Sequence, residues 1–301
     1  MLKRIFIAAI FLIIAISAEA QFDKPQVQVG MGFNIPYDQL KGEFLQSELL
    51  GSFYVLTINN DFMTKNYAAK NGLSFFGKAK INFDAYSIVR GIFGISYNTF
   101  NIFESSKSGN IGVVVQNVNN KLDTVLTSVE YDYGFSNFGL GLGLEIAPSS
   151  FTKLISPFFG GSFNFNFMNG ELSRTENRYD SVKTNFSDFR MGVNLEAGME
   201  VNVTSNVSIA GGYRYEFGNL FLKNTASSIA DAIEFGKSNA ALNDEQGRFF
   251  STIYGPVINS IRKEVISSEK KLNWGTVFLG VNINLFETDK SKKKKTPTKK
   301  N

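Results

Sequence analysis

Ten charged residues lie in long alternating segments of the chain, on the parity that also carries small and polar residues. The cations are Lys78, Lys80, Arg90, Arg190 and Arg214, and the anions are Asp84, Glu145, Glu196, Glu200 and Glu216. An equal number of each sign is what a closed, low-dielectric interior demands, because an unpaired buried charge is very costly. The alternatives are a salt-bridged structural core, a charged pore lining and an acid/base site. The charge balance favours the structural core.

These charges do not form a recognisable catalytic site. Glu196 and Glu200 share one face of a predicted strand, but at 3.3–3.4 Å per residue they lie about 13–14 Å apart, too far for shared acid/base chemistry. His, the most frequent general acid or base, is absent. Cys is also absent, which removes thiolate metal sites and cysteine nucleophiles. A carboxylate-only or Ser-Lys mechanism stays open without a supporting motif, so we expect no enzyme activity, catalytic residue, metal or cofactor.

The elements that must position these charges are long strands, and the segment 187–203 shows their pattern most clearly. One parity holds Phe189, Met191, Val193, Leu195, Ala197, Met199 and Val201, and the other holds Arg190, Gly192, Asn194, Glu196, Gly198, Glu200 and Asn202. Such alternation indicates a strand with two chemically opposite faces. Strands of soluble proteins usually end after about 5–6 residues, whereas a tilted membrane-spanning strand needs about 9–11. Pattern and length together predict a transmembrane β-barrel.

Eight such segments are present, and the connections between them alternate in length. The predicted strands are 26–36, 73–84, 87–100, 128–147, 156–168, 187–203, 206–217 and 272–286. Short connections follow the second, fourth and sixth strands, and the long connections are 37–72, 101–127, 169–186 and 218–271. Short periplasmic turns and long extracellular loops are typical of bacterial outer-membrane barrels. The predicted fold is all-β, an eight-stranded antiparallel up-and-down transmembrane barrel.

Side-chain size predicts which face points outward, because alternation alone would also fit a soluble, lipocalin-like barrel. Large residues of the fifth strand share one face, opposite small and polar residues: Phe159, Phe163, Phe165 and Phe167 against Gly160, Ser162, Asn164 and Asn166. An eight-stranded barrel has interior space only for side chains that fill it, which suits the small and polar set. Aromatic residues at strand ends are expected at the membrane interfaces: Tyr37, Tyr86, Tyr97, Phe100, Tyr131, Tyr133, Tyr215, Phe217 and Trp274.

The long connections leave two alternatives open. Apolar runs at 52–59 and 112–118 could add strands, giving ten or more and a porin-like channel or transporter for small or hydrophobic solutes. Within 218–271, the segments 227–238 and 257–268 have apolar spacing compatible with short helices. Such helices would form a surface cap over the barrel mouth or, in the sharper alternative, a lid or a plug. Local structure of the first kind is common in long outer loops.

The termini predict export and a disordered extension. Lys3 and Arg4 precede an apolar run at 5–16, and residues 18–20 read Ala-Glu-Ala, so 1–20 is predicted to be a cleaved signal peptide. The barrel domain would span 21–286. Residues 287–301 form a Lys-rich tail whose composition predicts disorder in the periplasm. The tail is either a solubilising extension or, in the sharper alternative, an electrostatic contact to anionic cell-wall groups.

Short motifs in four predicted strands carry a family resemblance. They are VQVGMGFNIP at 27–36, FFGGSFNF at 158–165, VNLEAGMEV at 193–201 and GGYRYEF at 211–217. Through them, most of the mature chain resembles the OmpA/OmpX-like outer-membrane β-barrel family. The last strand, 273–286, ends in an aromatic residue and resembles the signal strand by which such barrels are recognised for insertion. The resemblance implies an eight-stranded barrel of a Gram-negative outer membrane, often without any assigned activity.

The predicted function is that of a non-enzymatic outer-membrane β-barrel with a plugged polar lumen and a structural or surface-interaction role. The expected partners are outer-membrane lipids, the barrel-assembly machinery during insertion and an extracellular partner contacted through the loops. The Lys-rich tail would add a weak, salt-sensitive contact to anionic cell-wall groups. No nucleic-acid partner is expected, since the basic residues behind the net charge of +4 are concentrated in this tail.

Overall fold

The computed structural model describes most of the predicted barrel. The described residues are 25–42, 46–50, 55–59, 66–83, 88–103, 108–118, 121–148, 154–176, 180–223, 242, 245, 248–251, 263–266 and 269–285. The predicted signal peptide at 1–20, the tail at 287–301, the segment 227–238, Asp84 and Tyr86 lie outside them. Their assignments stay predictions.

The regular elements in this part of the chain are strands. They are β1 (Gln26–Tyr37), β2 (Gln46–Leu50), β3 (Val55–Asn59), β4 (Gly72–Asn82), β5 (Val89–Thr99), β6 (Ser108–Val118), β7 (Lys121–Ile146), β8 (Ile155–Glu176), β9 (Asp180–Asn202), β10 (Val207–Phe221), β11 (Arg248–Ser251), β12 (Lys263–Ile266) and β13 (Asn273–Asn284). Eight of them form a closed ring in the order β1-β4-β5-β7-β8-β9-β10-β13, with every pairing antiparallel. The predicted eight-stranded antiparallel barrel is confirmed.

The remaining strands lie outside this ring. β2 pairs with β3, β11 pairs with β12, and β6 pairs with the first half of β7, beyond the point where β5 leaves it. The expectation that 52–59 and 112–118 would widen the barrel to ten or more strands is therefore wrong. A helix over 257–268 is also wrong at Lys263–Ile266, which is strand β12. Among the described residues, no helix has the length and apolar character needed to cross a membrane.

The barrel strands differ in length, and β10 is intermediate with 15 residues. β1, β4, β5 and β13 have 11 or 12 residues, which at a tilt near 40° rise about 28–31 Å, the thickness of a bilayer core. β7, β8 and β9 have 26, 22 and 23 residues. The predicted long connection at 169–186 is therefore mostly strand, and only 177–179 separate β8 from β9. Above the membrane both faces of the sheet meet water, so the apolar alternation fades there. The strands nevertheless stay paired.

A local hydrogen-bond pattern explains the predicted short turn between β9 and β10. The backbone N–H groups of Val203 and Thr204 donate to the carbonyl of Val207 at 2.9 and 3.0 Å. In return, the Thr204 hydroxyl oxygen accepts from the N–H groups of Asn206 and Val207, at 3.3 and 3.0 Å. A Ser/Thr side chain that satisfies turn amides in this way favours a tight reversal.

The barrel is apolar outside and polar inside. On the outward parity, Met199 and Leu279 are each 60% exposed, whereas Glu145 on the inward parity is fully buried. Buried amide and hydroxyl side chains line the same interior: Gln28, Asn34, Ser74, Asn98, Asn137, Asn166, Thr276 and Asn282. An outward apolar surface on closed strands is the arrangement that lipid requires.

The interior also holds two apolar clusters, whose strand residues lie on the inward parity. One is Phe76, Ala147, Phe158, Ala210 and Phe278, and the other, at the extracellular mouth, is Leu40, Tyr67, Ala68, Ala69, Phe100, Tyr133, Phe135, Met168, Leu242, Leu272 and Trp274. The expected interfacial positions of Phe100, Tyr133 and Trp274 are therefore wrong, because these residues fall on the inward parity of their strands. Tyr97 is exposed on the outer surface.

Candidate functional site

Strand register brings together the ion pairs of the barrel wall. Arg90 on β5 is the direct partner of Glu145 on β7, and Arg214 on β10 is the direct partner of Glu196 on β9. The Arg90 guanidinium donates to Glu145 at 3.0 Å, and the Arg214 guanidinium donates to Glu196 at 3.1 Å. Opposite charges on neighbouring strands stabilise the pairing of those strands.

Two further ion pairs cross the lumen. The ammonium of Lys78 donates to both carboxylate oxygens of Glu196 at 2.5 Å, and that of Lys80 donates to Glu200 at 2.8 Å. The lysines lie on β4 and the glutamates on β9, and these strands are four positions apart in a ring of eight. The contacts therefore join diametrically opposite walls. Their side chains are at most 7% exposed.

Four of the charges form what we call the periplasmic ring: Lys80, Arg90, Glu145 and Glu200. Each cation in it contacts both anions, at 2.8 to 3.1 Å. Two positive and two negative groups leave the ring neutral. Neutrality matters here because an uncompensated charge in a buried position is costly.

An aromatic layer lies against these ion pairs. Phe76 and Phe278 pack edge to face with ring centroids 5.4 Å apart, and Phe158 lies 6.4 Å from Phe278. Arg214 stacks over Phe76 at 4.9 Å and Lys80 lies over Phe158 at 5.1 Å. These cation–π contacts contribute to holding the charges in a dry environment.

Inward-facing glycines make room for the rings. A Cβ atom on Gly30 would lie 2.5 Å from Cζ of Phe76, and one on Gly198 would lie 2.6 Å from Cζ of Phe158. Both distances are far below van der Waals contact, so only glycine fits at these points. At Gly30 and Gly198, aromatic side chains are thus packed against bare backbone.

The carboxylate of Glu216 accepts hydrogen bonds from side-chain amides. The side-chain N–H groups of Asn164 and Asn166 donate to its Oε1 atom at 2.5 and 3.4 Å, and Asn166 also donates to the carbonyl of Gly218. Glu216 is 5% exposed. Amide donors of this kind satisfy a buried carboxylate without a direct ion pair.

Arg190 finds its partner in an outer loop, at the barrel mouth. Its guanidinium donates to Glu245 at 2.7 Å and to the carbonyl of Leu242 at 3.1 Å, and Asn219 donates to the same carboxylate at 2.7 Å. Leu242 and Glu245 are both fully buried. This part of the connection 218–271 is therefore folded into the mouth, and the ion pair was not foreseen because loop residues carry no parity signal.

Little open space remains in the charged lumen. A cavity of about 30 Å³ borders Lys78, Glu196, Arg214, Asn164 and Asn194, room for about two water molecules. In the described part of the chain, no group of three or more acidic side chains is arranged to hold a metal ion. The arrangement is chemically a set of ion-paired charges beside one carboxylate, Glu216, that is bound by amides.

Comparisons with known proteins return bacterial surface proteins. Residues 86–233, just under half of the chain, match the family described as Opacity family porin protein. No curated protein sequence matches. Neisserial surface protein A is 12% identical, with a TM-score of 0.38 over 86% of this chain and 96% of that chain. Ail, the attachment invasion locus protein of Yersinia pestis, is 10% identical, with a TM-score of 0.34 over 86% and 97%. A major outer membrane protein from Thermus thermophilus is 10% identical, with a TM-score of 0.39 over 86% and 98%.

Proposed function

We propose that this eight-stranded barrel is a non-enzymatic outer-membrane protein of the OmpA/OmpX-like kind, with a plugged polar lumen. Its role is structural in the membrane or lies in contacts made by its extracellular loops. It would reside in the outer membrane of a Gram-negative bacterium after cleavage of residues 1–20. The observation that carries this proposal is the pair of cross-lumen contacts, Lys78 to Glu196 and Lys80 to Glu200.

Passage of a solute through the lumen would require breaking these contacts. Separating one member of a buried ion pair from its partner costs about 3–5 kcal/mol. The layer of Phe76, Phe158 and Phe278 narrows the same region, and the apolar cluster around Trp274 fills the extracellular mouth. Eight strands leave an interior just wide enough for such side chains. These features support a barrel that does not conduct.

The absence of enzyme activity is supported by the pairing of the charged groups. Seven of the predicted charges form ion pairs with one another, in which cation and carboxylate lie 2.5 to 3.1 Å apart. An eighth, Arg190, lies 2.6 Å from the carboxylate of Glu245. A general acid or base must reach a substrate within hydrogen-bond distance. The cavity of about 30 Å³ beside them leaves no space for one.

A surface role is supported by the long strands β7, β8 and β9. They are 11 to 15 residues longer than the shortest barrel strands, which corresponds to a rise of about 28 Å or more beyond the membrane at 3.3 Å per residue and a tilt near 40°. An extracellular partner would contact this extension or the loops. Contacts with the barrel-assembly machinery, and of the tail at 287–301 with anionic cell-wall groups, belong to the same proposal.

Planar-bilayer recordings of the purified protein test the plug. The parent protein is expected to give no stepwise openings. Replacing Phe76, Phe158 and Phe278 by alanine, together with Lys78 and Lys80, removes the aromatic layer and both cross-lumen contacts and is expected to produce openings. The matched control replaces three outward aromatic residues, Phe93, Phe159 and Phe167. It should give no stepwise openings. Regular openings of the parent protein would overturn the plugged lumen.

A further inference from the structure

The barrel closes where its first strand, β1, pairs with its last, β13, and the inner face of this pairing carries four amide side chains. Register sets Gln26 opposite Asn284 and Gln28 opposite Asn282. These four residues, which we call the seam amides, lie on the inward parity of their strands at the periplasmic end of the lumen. Two residues on each strand therefore face the same part of the interior.

The carbonyl oxygens of the seam amides lack hydrogen-bond donors. Oε1 of Gln26 and Gln28 and Oδ1 of Asn282 and Asn284 are buried and accept no hydrogen bond from any residue that the structure describes. Gln28 is fully buried, and Asn282 is 1% exposed. Buried polar atoms without a partner are rare in native structures and call for a bound water molecule or ion.

The two asparagines turn their oxygens toward β1. The Nδ2 group of Asn282 donates to the hydroxyl of Ser208 at 3.1 Å, and that of Asn284 donates to the carbonyl of Ser205 at 3.2 Å. Ser208 lies on β10 and Ser205 shortly before it, on the side of β13 that faces away from β1. Because an amide carries its oxygen opposite its nitrogen, both Oδ1 atoms face the β1 side.

The amide of Gln28 completes this arrangement. A Cβ atom added to Gly280 would lie 3.1 Å from Nε2 of Gln28 and 3.3 Å from Cζ of Phe76. The nitrogen is therefore on the extracellular side of the amide, beside the aromatic layer. Oε1 then turns toward the periplasm, into the space that the asparagine oxygens face.

The spacing of the seam amides lets all four oxygens reach one point. Paired residues on adjacent strands are about 4.8 Å apart, and two residues along a strand span about 6.7 Å. The centre of this rectangle is about 4 Å from each corner, which an inward amide side chain can approach. Four carbonyl oxygens around one point, with nitrogens directed elsewhere, form a set of ligands for a cation.

The charges around the seam amides favour a monovalent ion. The set itself is neutral, and the neighbouring Lys78 and Lys80 on β4 extend their ammonium groups to carboxylates on β7 and β9. Mg²⁺ gives up its water reluctantly, and Ca²⁺ sites use carboxylates. Carbonyl oxygens alone, in contrast, can replace the hydration shell of K⁺.

We propose that the seam amides bind a small monovalent cation, Na⁺ or K⁺, which enters from the periplasm and joins the first strand of the barrel to the last. Each strand supplies two oxygens, so the ion bridges the pairing at which the ring closes. The proposal goes beyond the plugged lumen and holds whether or not the barrel conducts.

Sodium-23 NMR of the purified protein in micelles of a neutral detergent measures the binding, because a bound sodium ion gives a broader line than a free one. Tetramethylammonium chloride, whose cation is too large for the site, keeps the ionic strength constant. Gln28→Met removes one ligand oxygen without removing a hydrogen bond, since neither amide atom of Gln28 has a partner. Asn282→Leu removes a second oxygen.

The matched control is Asn137→Leu, toward the extracellular end of the lumen. Asn137 is also 1% exposed, also has an Oδ1 atom without a donor, and donates one side-chain hydrogen bond, to Asn166 at 3.0 Å. It therefore resembles Asn282 in burial and bonding but lies outside the seam. Retention of the barrel fold in all variants is checked by circular dichroism.

The parent protein is expected to broaden the sodium line in a saturable manner that added KCl reverses. Gln28→Met and Asn282→Leu should each weaken the binding about tenfold, which corresponds to about 1.4 kcal/mol, while Asn137→Leu leaves it unchanged. An ion that binds only the folded state also stabilises it. Urea unfolding should therefore need more urea in NaCl than in tetramethylammonium chloride for the parent and the control, but not for the two seam variants.

Three results would overturn the site. Absence of saturable broadening in the parent protein would assign the four oxygens to water. Broadening that persists unchanged in Gln28→Met and Asn282→Leu would place the sodium ion elsewhere. Equal loss of binding in Asn137→Leu would show that the seam is not special among the buried amides.

Discussion

Replacing Glu145 by glutamine removes one negative charge from the periplasmic ring while keeping its shape. Glu145 contacts Lys80 at 3.1 Å and Arg90 at 3.0 Å and is fully buried. At an effective dielectric constant near 20, two unit charges about 3 Å apart attract each other by about 5 kcal/mol. Glu200 remains as partner for both cations, so the loss is partial. We expect Glu145→Gln to lower the free energy of unfolding by about 3–5 kcal/mol, the usual result of breaking a buried pair.

A double variant separates the effect of charge imbalance from that of lost contacts. Lys80→Met combined with Glu145→Gln restores neutrality and leaves Arg90 with Glu200, which its guanidinium contacts at 3.0 Å. The double variant should therefore recover about 2 kcal/mol or more relative to Glu145→Gln alone. Independent effects would instead make it the less stable of the two.

The matched control is Glu171→Gln. Glu171 and Lys183 lie 2.9 Å apart, but their side chains are 49% and 59% exposed. Water screens this pair, so its loss should cost about 1 kcal/mol or less. Trp274, the single tryptophan of the chain and 1% exposed, reports urea unfolding by fluorescence in lipid vesicles. Equal stabilities of Glu145→Gln and Glu171→Gln would refute the argument from burial.

Two further predictions concern packing and protonation. Gly198→Ala places a Cβ atom closest to the carbonyl oxygen of Gly211 and 2.6 Å from the ring of Phe158. It should lower stability by about 1–3 kcal/mol in urea unfolding. Gly77→Ala, with its nearest neighbour at 3.5 Å, should change stability by about 0.5 kcal/mol or less, and equal effects would contradict the tight packing at Gly198. Outside the membrane, the ammonium of Lys223 donates to Glu269 and lowers the pKa of that carboxyl below its ordinary value of 4.5. The small contribution of this ion pair to stability is present above pH 4.5 and is lost as the pH falls through the lowered pKa of Glu269. Lys223→Met should raise the NMR titration midpoint of Glu269, and an unchanged midpoint would exclude the contact.

The number of barrel strands, their positions and the face that each turns outward could be predicted from the sequence, because each depends on local information. Alternation identifies a strand with two unlike faces, and side-chain size assigns the outer face. Alternation, applied strictly, places Phe76, Phe158 and Phe278 inside the barrel. They were missed because large side chains were expected only outside, and the glycines that admit them lie on other strands.

The extracellular parts were harder to predict for a physical reason. Above the membrane both faces of a strand meet water, so β7, β8 and β9 continue where the alternation has faded. The same loss of signal made 257–268 resemble a helix, although Lys263–Ile266 pairs as a strand. Glu245 could not be assigned to Arg190, because nothing in the pattern of a loop says where it folds.

The sequence by itself determined which charges of the described barrel strands would face the interior, since parity is a property of each strand alone. Only the tertiary structure decided which of them pair across it. Lys78 and Glu196 are 118 residues apart, and their strands meet only because the closure of eight strands sets β4 opposite β9. The width of the lumen between these two strands depends on strand number and stagger together. No single segment of the chain encodes both.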